Sequence, residues 1–175
     1  AKDTEGEMLF YQSKVCEGVF HRISSGTTRD GLEVFGKMEK GYLLSVDSNW
    51  DMYGDGYLSG HYFSEGALRE QLEKAYPGLV FTEEPVENQI NMYKRDKVGH
   101  ILSLTVGNKT ISGEEFRQLL ELPSSNFTMQ AADGKIRFLC KGQGHGLGLS
   151  QYGGNVLAKE GKSYKEILRY YFPEC

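Results

Sequence analysis

Gly142-Gln143-Gly144-His145-Gly146-Leu147-Gly148-Leu149-Ser150-Gln151-Tyr152-Gly153-Gly154 sets a glycine at every second position around one histidine, then runs into a hydroxyl, an amide and a second glycine pair. Glycine weakens a regular element and is useful where the backbone takes positive φ or lets another molecule come close. An ordinary link between a strand and a helix needs one or two glycines. The alternation therefore predicts a functional loop that presents its own backbone, with His145 at its centre and Ser150, Gln151 and Tyr152 at its exit. Before it, residues 135–141 read as a strand with Ile136, Phe138 and Cys140 on the buried side, paired with residues 126–130 across an Asp133-Gly134 turn. After it, residues 150–159 read as a helix that Gly161 stops. The strand would hold His145 against a rigid support while the loop faces solvent.

Further out, the chain mixes short elements. Residues 8–11 and 15–23 read as the arms of a hairpin around a polar turn. The second arm leads into His21-Arg22-Ile23-Ser24-Ser25-Gly26-Thr27-Thr28-Arg29. A histidine at a strand end, followed by hydroxyls around a glycine, supplies donors and acceptors suited to a polyhydroxyl or amide ligand, although ordinary turns are also rich in Ser and Thr. Residues 42–47 read as a strand and 48–51 as a turn carrying the single tryptophan, Trp50. Of the aromatic residues there, Tyr53, Tyr57, Tyr62 and Phe63 fit a core, while Trp50 is the candidate platform for a sugar face. A helix begins at Ser64, repeats Leu68, Leu72, Ala75 and Tyr76, and ends at Pro77-Gly78. Residues 79–97 are acidic and turn-rich, with no assignable element. Residues 100–106 form a strand that turns at Gly107-Asn108, and Ser112 with Glu115 and Ser163 with Glu166 make two capping boxes. The sum is an α+β chain, one domain over residues 1–175, rich in β-hairpins with several short helices.

Composition narrows the partners. The formal net charge is −4, and the most basic piece, Tyr93-Lys94-Arg95-Asp96-Lys97, is interrupted by an acid, so nucleic acid is excluded as a partner. No apolar run is long enough for a membrane span and no signal region opens the chain. Ala1-Lys2-Asp3-Thr4-Glu5-Gly6 reads like the middle of a protein, with an anchor or domain expected upstream. The three cysteines, Cys16, Cys140 and Cys175, demand no disulfide framework; Cys16 and Cys140 lie in strand-like patterns that suit buried free thiols. Cys16 and His21 supply half of the roughly four ligands a closed zinc site needs, so no metal site is expected. Neither the dinucleotide glycine pattern, nor a phosphate loop, nor a nucleophile elbow fits the spacing, and no cofactor is implied.

Taken together, the pieces resemble the stage II sporulation protein D family, known also from amidase-enhancer proteins. The glycine run with its helix and Tyr164, Ile167-Leu168 and Tyr170-Tyr171-Phe172-Pro173 is similar to that family's C-terminal signature. Phe20-His21 through Ser25-Gly26 to Thr28 resembles its His-x-Ser-Gly-Gly-x-Thr turn, with Ser25 in place of a glycine. Glu33-Val34-Phe35-Gly36, Tyr42-Leu43 with Ser45-Val46-Asp47, and Trp50-Asp51 resemble further segments, with Phe35 in place of Trp.

The resemblance implies lytic transglycosylase cleavage of peptide-stripped peptidoglycan strands during engulfment, in an extracytoplasmic protein of the wall or of the septal or forespore membrane. Its alternative is a non-catalytic wall-binding or amidase-activating module. Either implies a glycan cleft lined by His21, Ser25, Gly26, Thr28, Trp50, His145, Ser150, Gln151 and Tyr152, with glycan strands and other engulfment or amidase proteins as partners. The family's catalytic glutamate stands in an N-terminal Glu-Met-Pro segment before a Lys-Ala-Gln helix. Glu7-Met8-Leu9 lacks that context, so no catalytic residue is assigned within this chain.

Overall fold

The computed structural model describes residues 6–175; Ala1 to Glu5, read above as mid-protein sequence, lie outside the described residues. The chain is mixed α+β, as its hairpins and short helices predict. Two antiparallel three-stranded sheets carry most of it. One orders β4 (Leu58–Ser64), β9 (Lys135–Lys141) and β8 (Phe127–Ala132); the other orders β5 (Ile90–Arg95), β6 (Ile101–Val106) and β7 (Lys109–Ser112). Strand β9 alternates as expected, with Ile136, Phe138 and Cys140 inward. Helices α2 (Glu65–Ala75) and α3 (Gly113–Leu119) pack here, and Leu68, Leu72, Phe116, Phe127 and Phe138 join one core, with rings of the last three 5.4–5.7 Å apart.

A second core gathers the chain's two ends. The two-residue strands β1 (Phe10–Tyr11) and β2 (Lys14–Val15) form the expected hairpin. Their extension does not reach Ile23 as one arm: the chain leaves the hairpin and pairs again only at β3 (Phe20–His21), which runs parallel to β10 (Leu149–Ser150). Helices α4 (Gln151–Lys159) and α5 (Tyr164–Tyr171) close over this pair, and Tyr42, Leu43, Leu147, Leu157, Ile167, Tyr171 and Phe172 are buried together. The Ser163 capping box starts α5 as the sequence predicts, as Ser112 starts α3.

Residues 42–47 form no strand; a single bridge joins Asp47 to Thr27, and the segment is held by Thr28, whose N–H donates to the Val46 carbonyl at 2.9 Å while its Oγ1 accepts from Val46 N–H at 2.9 Å. The turn at residues 48–51 tightens into a 3-10 helix, Asn49–Tyr53. A short α1 (Gly31–Phe35), capped by Asp30, and strands β4 and β5 have no counterpart in the sequence reading. Tyr53 and Tyr62, assigned above to a core, face solvent at 85% and 60% exposure. Cys16 is not in a strand; it is half-buried beside Cys175, whereas Cys140 is buried in β9.

Candidate functional site

The glycine loop is where the two cores meet. Gly142, Gly144, Gly146 and Gly148 all take positive φ, which accounts for the two-residue alternation. At Gly146 a Cβ would stand 3.0 Å from Arg29 Cδ and 3.0 Å from His100 Nε2; at Gly148 it would strike the Val19 carbonyl. The close approach is therefore made by the chain itself, by side chains at Gly146 and by backbone at Gly148, and the expectation that the loop faces solvent is overturned. Gly142, Gly146, Leu147 and Gly148 are buried. Gln143 exchanges backbone hydrogen bonds with Ile23, Gly144 N–H donates to the Pro123 carbonyl at 2.8 Å, and Arg29 N–H donates to the Gly146 carbonyl at 2.8 Å.

This stitching brings the two histidine turns together. The imidazoles of His21 and His145 meet edge to face, with ring centres 5.9 Å apart. His21 is buried, and its Nδ1 lies 3.0 Å from the Leu147 carbonyl; a carbonyl only accepts, so Nδ1 carries the proton and Nε2 is a bare acceptor with no partner. Burial pushes the His21 pKa down to about 4, against the Leu147 carbonyl, and nearby His145 lowers it further. His145 is half-buried, and its Nδ1 accepts from Leu147 N–H at 3.1 Å. Burial lowers its pKa too, while Glu114 and the Phe20 carbonyl pull the other way. Both rings are therefore neutral at neutral pH.

Behind them stand residues that the sequence reading did not select. Arg29 Nε donates to Asp96 Oδ2 at 2.6 Å, and its Nη1 donates to the His145 carbonyl at 3.1 Å. His100 is buried with Nδ1 3.0 Å from Ser125 Oγ and Nε2 unpartnered; burial, then the Arg29 cation, drive its pKa well down. Three of the chain's four histidines thus cluster on one loop. No spacing signals this, because Asp96 and His100 arrive from the β5–β6 turn and Arg29 from the end of the His21 turn.

The other expected residues surround Asp51. Its Oδ2 accepts from Ser24 N–H at 2.7 Å and its Oδ1 from Ser150 Oγ at 2.9 Å, and Ser150 Oγ in turn accepts from Gly153 N–H, capping α4. Ser150 and Thr28 are fully buried, so they build the turns and do not face a ligand. Gly26, at positive φ, accepts from Ser48 N–H through its carbonyl. Ser25 is half-buried with its Oγ unpartnered. Trp50 packs against Tyr170 with ring centres 5.8 Å apart, Gln151 is exposed at the start of α4, and Tyr152 lies half-buried against Gly54.

A cavity of about 380 Å³ opens beside the loop. His145 and Arg29 reach it from the seam, Val34, Phe35, Leu43 and Leu102 give it apolar walls, and Glu17, Lys40, Ser112 and Glu114 add polar groups. His145 is the one expected site residue that lines it. Trp50, Gln151 and Tyr152 lie elsewhere, around Asp51. Glu114 is raised by burial, but the Arg117 guanidinium at 2.6 Å outweighs this and holds the carboxylate ionised. Among the described residues no three His, Cys, Asp or Glu side chains converge on a metal-sized site. Cys16 and His21 take separate partners, Cys175 and Leu147.

No family model matches the chain. Among curated proteins it is 31% identical over 170 residues to stage II sporulation protein D of Bacillus amyloliquefaciens and 29% identical over 170 residues to that of Bacillus subtilis (strain 168); each match covers 97% of this chain. This likeness over nearly the whole chain supports the stage II sporulation protein D family. It spans about half the length of these relatives, 47% of each. A shorter match, 42% identical over 50 residues and covering 29% of the chain, is to the amidase enhancer of Bacillus subtilis (strain 168), of which it covers 7%. The likeness to the stage II sporulation protein D relatives runs through both cores and the seam between them, and is not confined to the glycine loop.

Proposed function

We propose that this chain forms the glycan-holding part of an extracytoplasmic lytic transglycosylase that acts on peptide-stripped peptidoglycan strands during sporulation. The observation that carries the reading is the edge-to-face meeting of His21 and His145, from turns more than a hundred residues apart, with His145 in the wall of a cavity. That cavity is amphipathic, as a sugar ring is: apolar walls suit a pyranose face, and Lys40, Ser112 and Glu17 at the polar side suit hydroxyl and N-acetyl groups. Its volume falls at the lower end of the roughly 300–1,000 Å³ usual for ligand sites, room for a short piece of strand. The likeness to stage II sporulation protein D supports the sporulation role.

The chemistry asks for one carboxylic acid that protonates the glycosidic oxygen and then serves as base while the muramoyl 6-hydroxyl closes the anhydro ring. Glu114 is held ionised by Arg117 and does not fit that role. The acid is assigned to the part of the relatives' length that this chain does not span, and this chain positions the strand. Of the expected residues, His145 is the one for direct contact in the cavity, while His21, Thr28, Gly26 and Ser150 shape the turns. Ser25, Trp50, Gln151 and Tyr152 lie away from this cavity and would meet only a longer strand that runs past it.

The amidase-enhancer match favours a second reading, in which the same groove binds wall glycan and activates an amidase without cutting. One experiment separates them. Full-length protein incubated with peptide-stripped strands should release anhydro-muropeptides, and His145→Gln should weaken retention on those strands by about tenfold, the worth of one lost hydrogen bond to ligand. Its melting temperature should stay within about 3 °C of the parent. Retention without any anhydro product selects the amidase-activating reading, and unchanged retention by the variant sinks both.

A further inference from the structure

We propose that Cys16 and Cys175 form a reversible disulfide that straps the β1–β2 hairpin to the end of α5. The two residues lie 159 positions apart, yet their sulfurs stand 3.2 Å from one another. A disulfide needs about 2.05 Å, so closing the bond takes little more than a small side-chain rotation. The backbone on both sides is already anchored: Cys16 N–H donates to the Leu9 carbonyl at 2.9 Å, and Cys175 N–H donates to the Phe172 carbonyl at 3.1 Å. Both cysteines pack against the second core, next to Leu9 and Leu168.

Beyond the packing of Leu9 and Tyr11 on the second core, the segment leading into the hairpin is tied to α5 by exposed contacts. Lys165 pairs with Glu7 at 2.8 Å, and Tyr164 donates to the same carboxylate at 2.9 Å. Exposed pairs of this kind hold little, so a covalent link at the other end changes the strap's strength substantially. An opening of about 670 Å³ between the hairpin and α5, reaching Cys175, lets an oxidant in. Burial, then the hydrogen bond to Cys16, push the Cys175 thiol up to about 12, and an uncharged bridge suits these surroundings better than a thiolate. Cys140, fully buried in β9 and pushed up to about 11, is far from this chemistry and serves as the internal control.

The oxidant is a low-molecular-weight or protein disulfide. The Cys16 thiolate attacks it to give a mixed disulfide and release one external thiol; Cys175, the slower nucleophile because its pKa is raised, then loses its proton to solvent and attacks that mixed disulfide, releasing the other. Two protein thiols lose two electrons and two protons, and the donor disulfide becomes two thiols. The strap matters to the site because Glu17 and Val19, cavity-lining residues, follow directly on Cys16 and lead into β3 with His21.

Full-length protein equilibrated with oxidised glutathione and mapped under non-reducing conditions should yield a peptide pair linked through Cys16 and Cys175, two mass units below the sum, and absent after dithiothreitol or in Cys175→Ser. The oxidised parent should melt about 5–15 °C above its reduced form, and Cys175→Ser should show no such gap. Free thiols at both positions, separate glutathione adducts, or equal melting temperatures for the two forms of the parent overturn the proposal. None of these readouts involves glycan, so the result stands apart from the test of function.

Discussion

His21 shows how one buried ring sets a pH limit on the whole fold. Its Nδ1–H is committed to the Leu147 carbonyl and its Nε2 has no partner, so a second proton would sit uncompensated in a dry site. The folded pKa is about 4 against an ordinary 6.5. Below pH 6.5 the unfolded chain takes up a proton that the folded chain refuses, so the stability present above 6.5 falls as the pH drops toward 4. A shift of this size corresponds to about 3 kcal/mol from His21 alone. His100 is lowered in the same direction, chiefly by burial, and steepens the loss. Urea midpoints measured between pH 7.5 and 4.5 should therefore decline, and His21→Gln should flatten that decline while lowering the plateau. A parent whose midpoint holds level down to pH 4.5 would show that these rings are not kept neutral by the fold.

Elements here were readable in sequence when their signals were local. The Ser112 and Ser163 capping boxes need residues three apart and form as the pattern predicts, and β8–β9 turns at Asp133-Gly134, both at positive φ. Strand β4 was hidden because its partner, β9, lies more than seventy residues on and its alternation is blurred by Gly60 and by the exposed Tyr62. Strand β5 was hidden because register shifts at Asn91 to Arg95 break its period. The candidate site was half legible. Alternating glycines announce a close approach at His145, but nothing in them says that the approaching backbone is the His21 turn of the same chain. Ser150 stands at the exit of the loop, and its element explains that place: it caps α4 through Gly153 and donates to buried Asp51. Ser150→Ala removes a cap worth about 1 kcal/mol and leaves Asp51 with a single partner, so a loss of about 2–4 kcal/mol is expected. Ser163→Ala, at an exposed cap, should cost only about 1 kcal/mol. Equal losses in chemical denaturation would show that Asp51 does not depend on Ser150.

At the scale of the molecule, the two cores are joined by a charge. Arg29 belongs to the turn that packs on the second core, and Asp96 to the β5–β6 turn of the first, where its Oδ1 also accepts from His100 N–H at 2.8 Å. Their side chains are 5% and 1% exposed. Removing one partner strands the other charge in a dry interior, at a cost of about 3–5 kcal/mol, whereas removing both takes away the charges together. Arg29→Met and Asp96→Asn should each destabilise by that amount, and the double variant by at least about 2 kcal/mol less than their sum. The pair also ought to govern how the cores unfold relative to one another. Trp50, the only tryptophan, packs against the second core, while most of the strand structure belongs to the first, so indole fluorescence and far-ultraviolet dichroism report on different halves. In the parent the two transitions should coincide, as they do when one cooperative unit unfolds. In Arg29→Met the fluorescence transition should come first, because the second core holds fewer buried side chains and loses its tie to the larger one. Additive single variants together with coincident transitions in Arg29→Met would show that the cores are coupled through the backbone stitching of the glycine loop, without need of the buried pair.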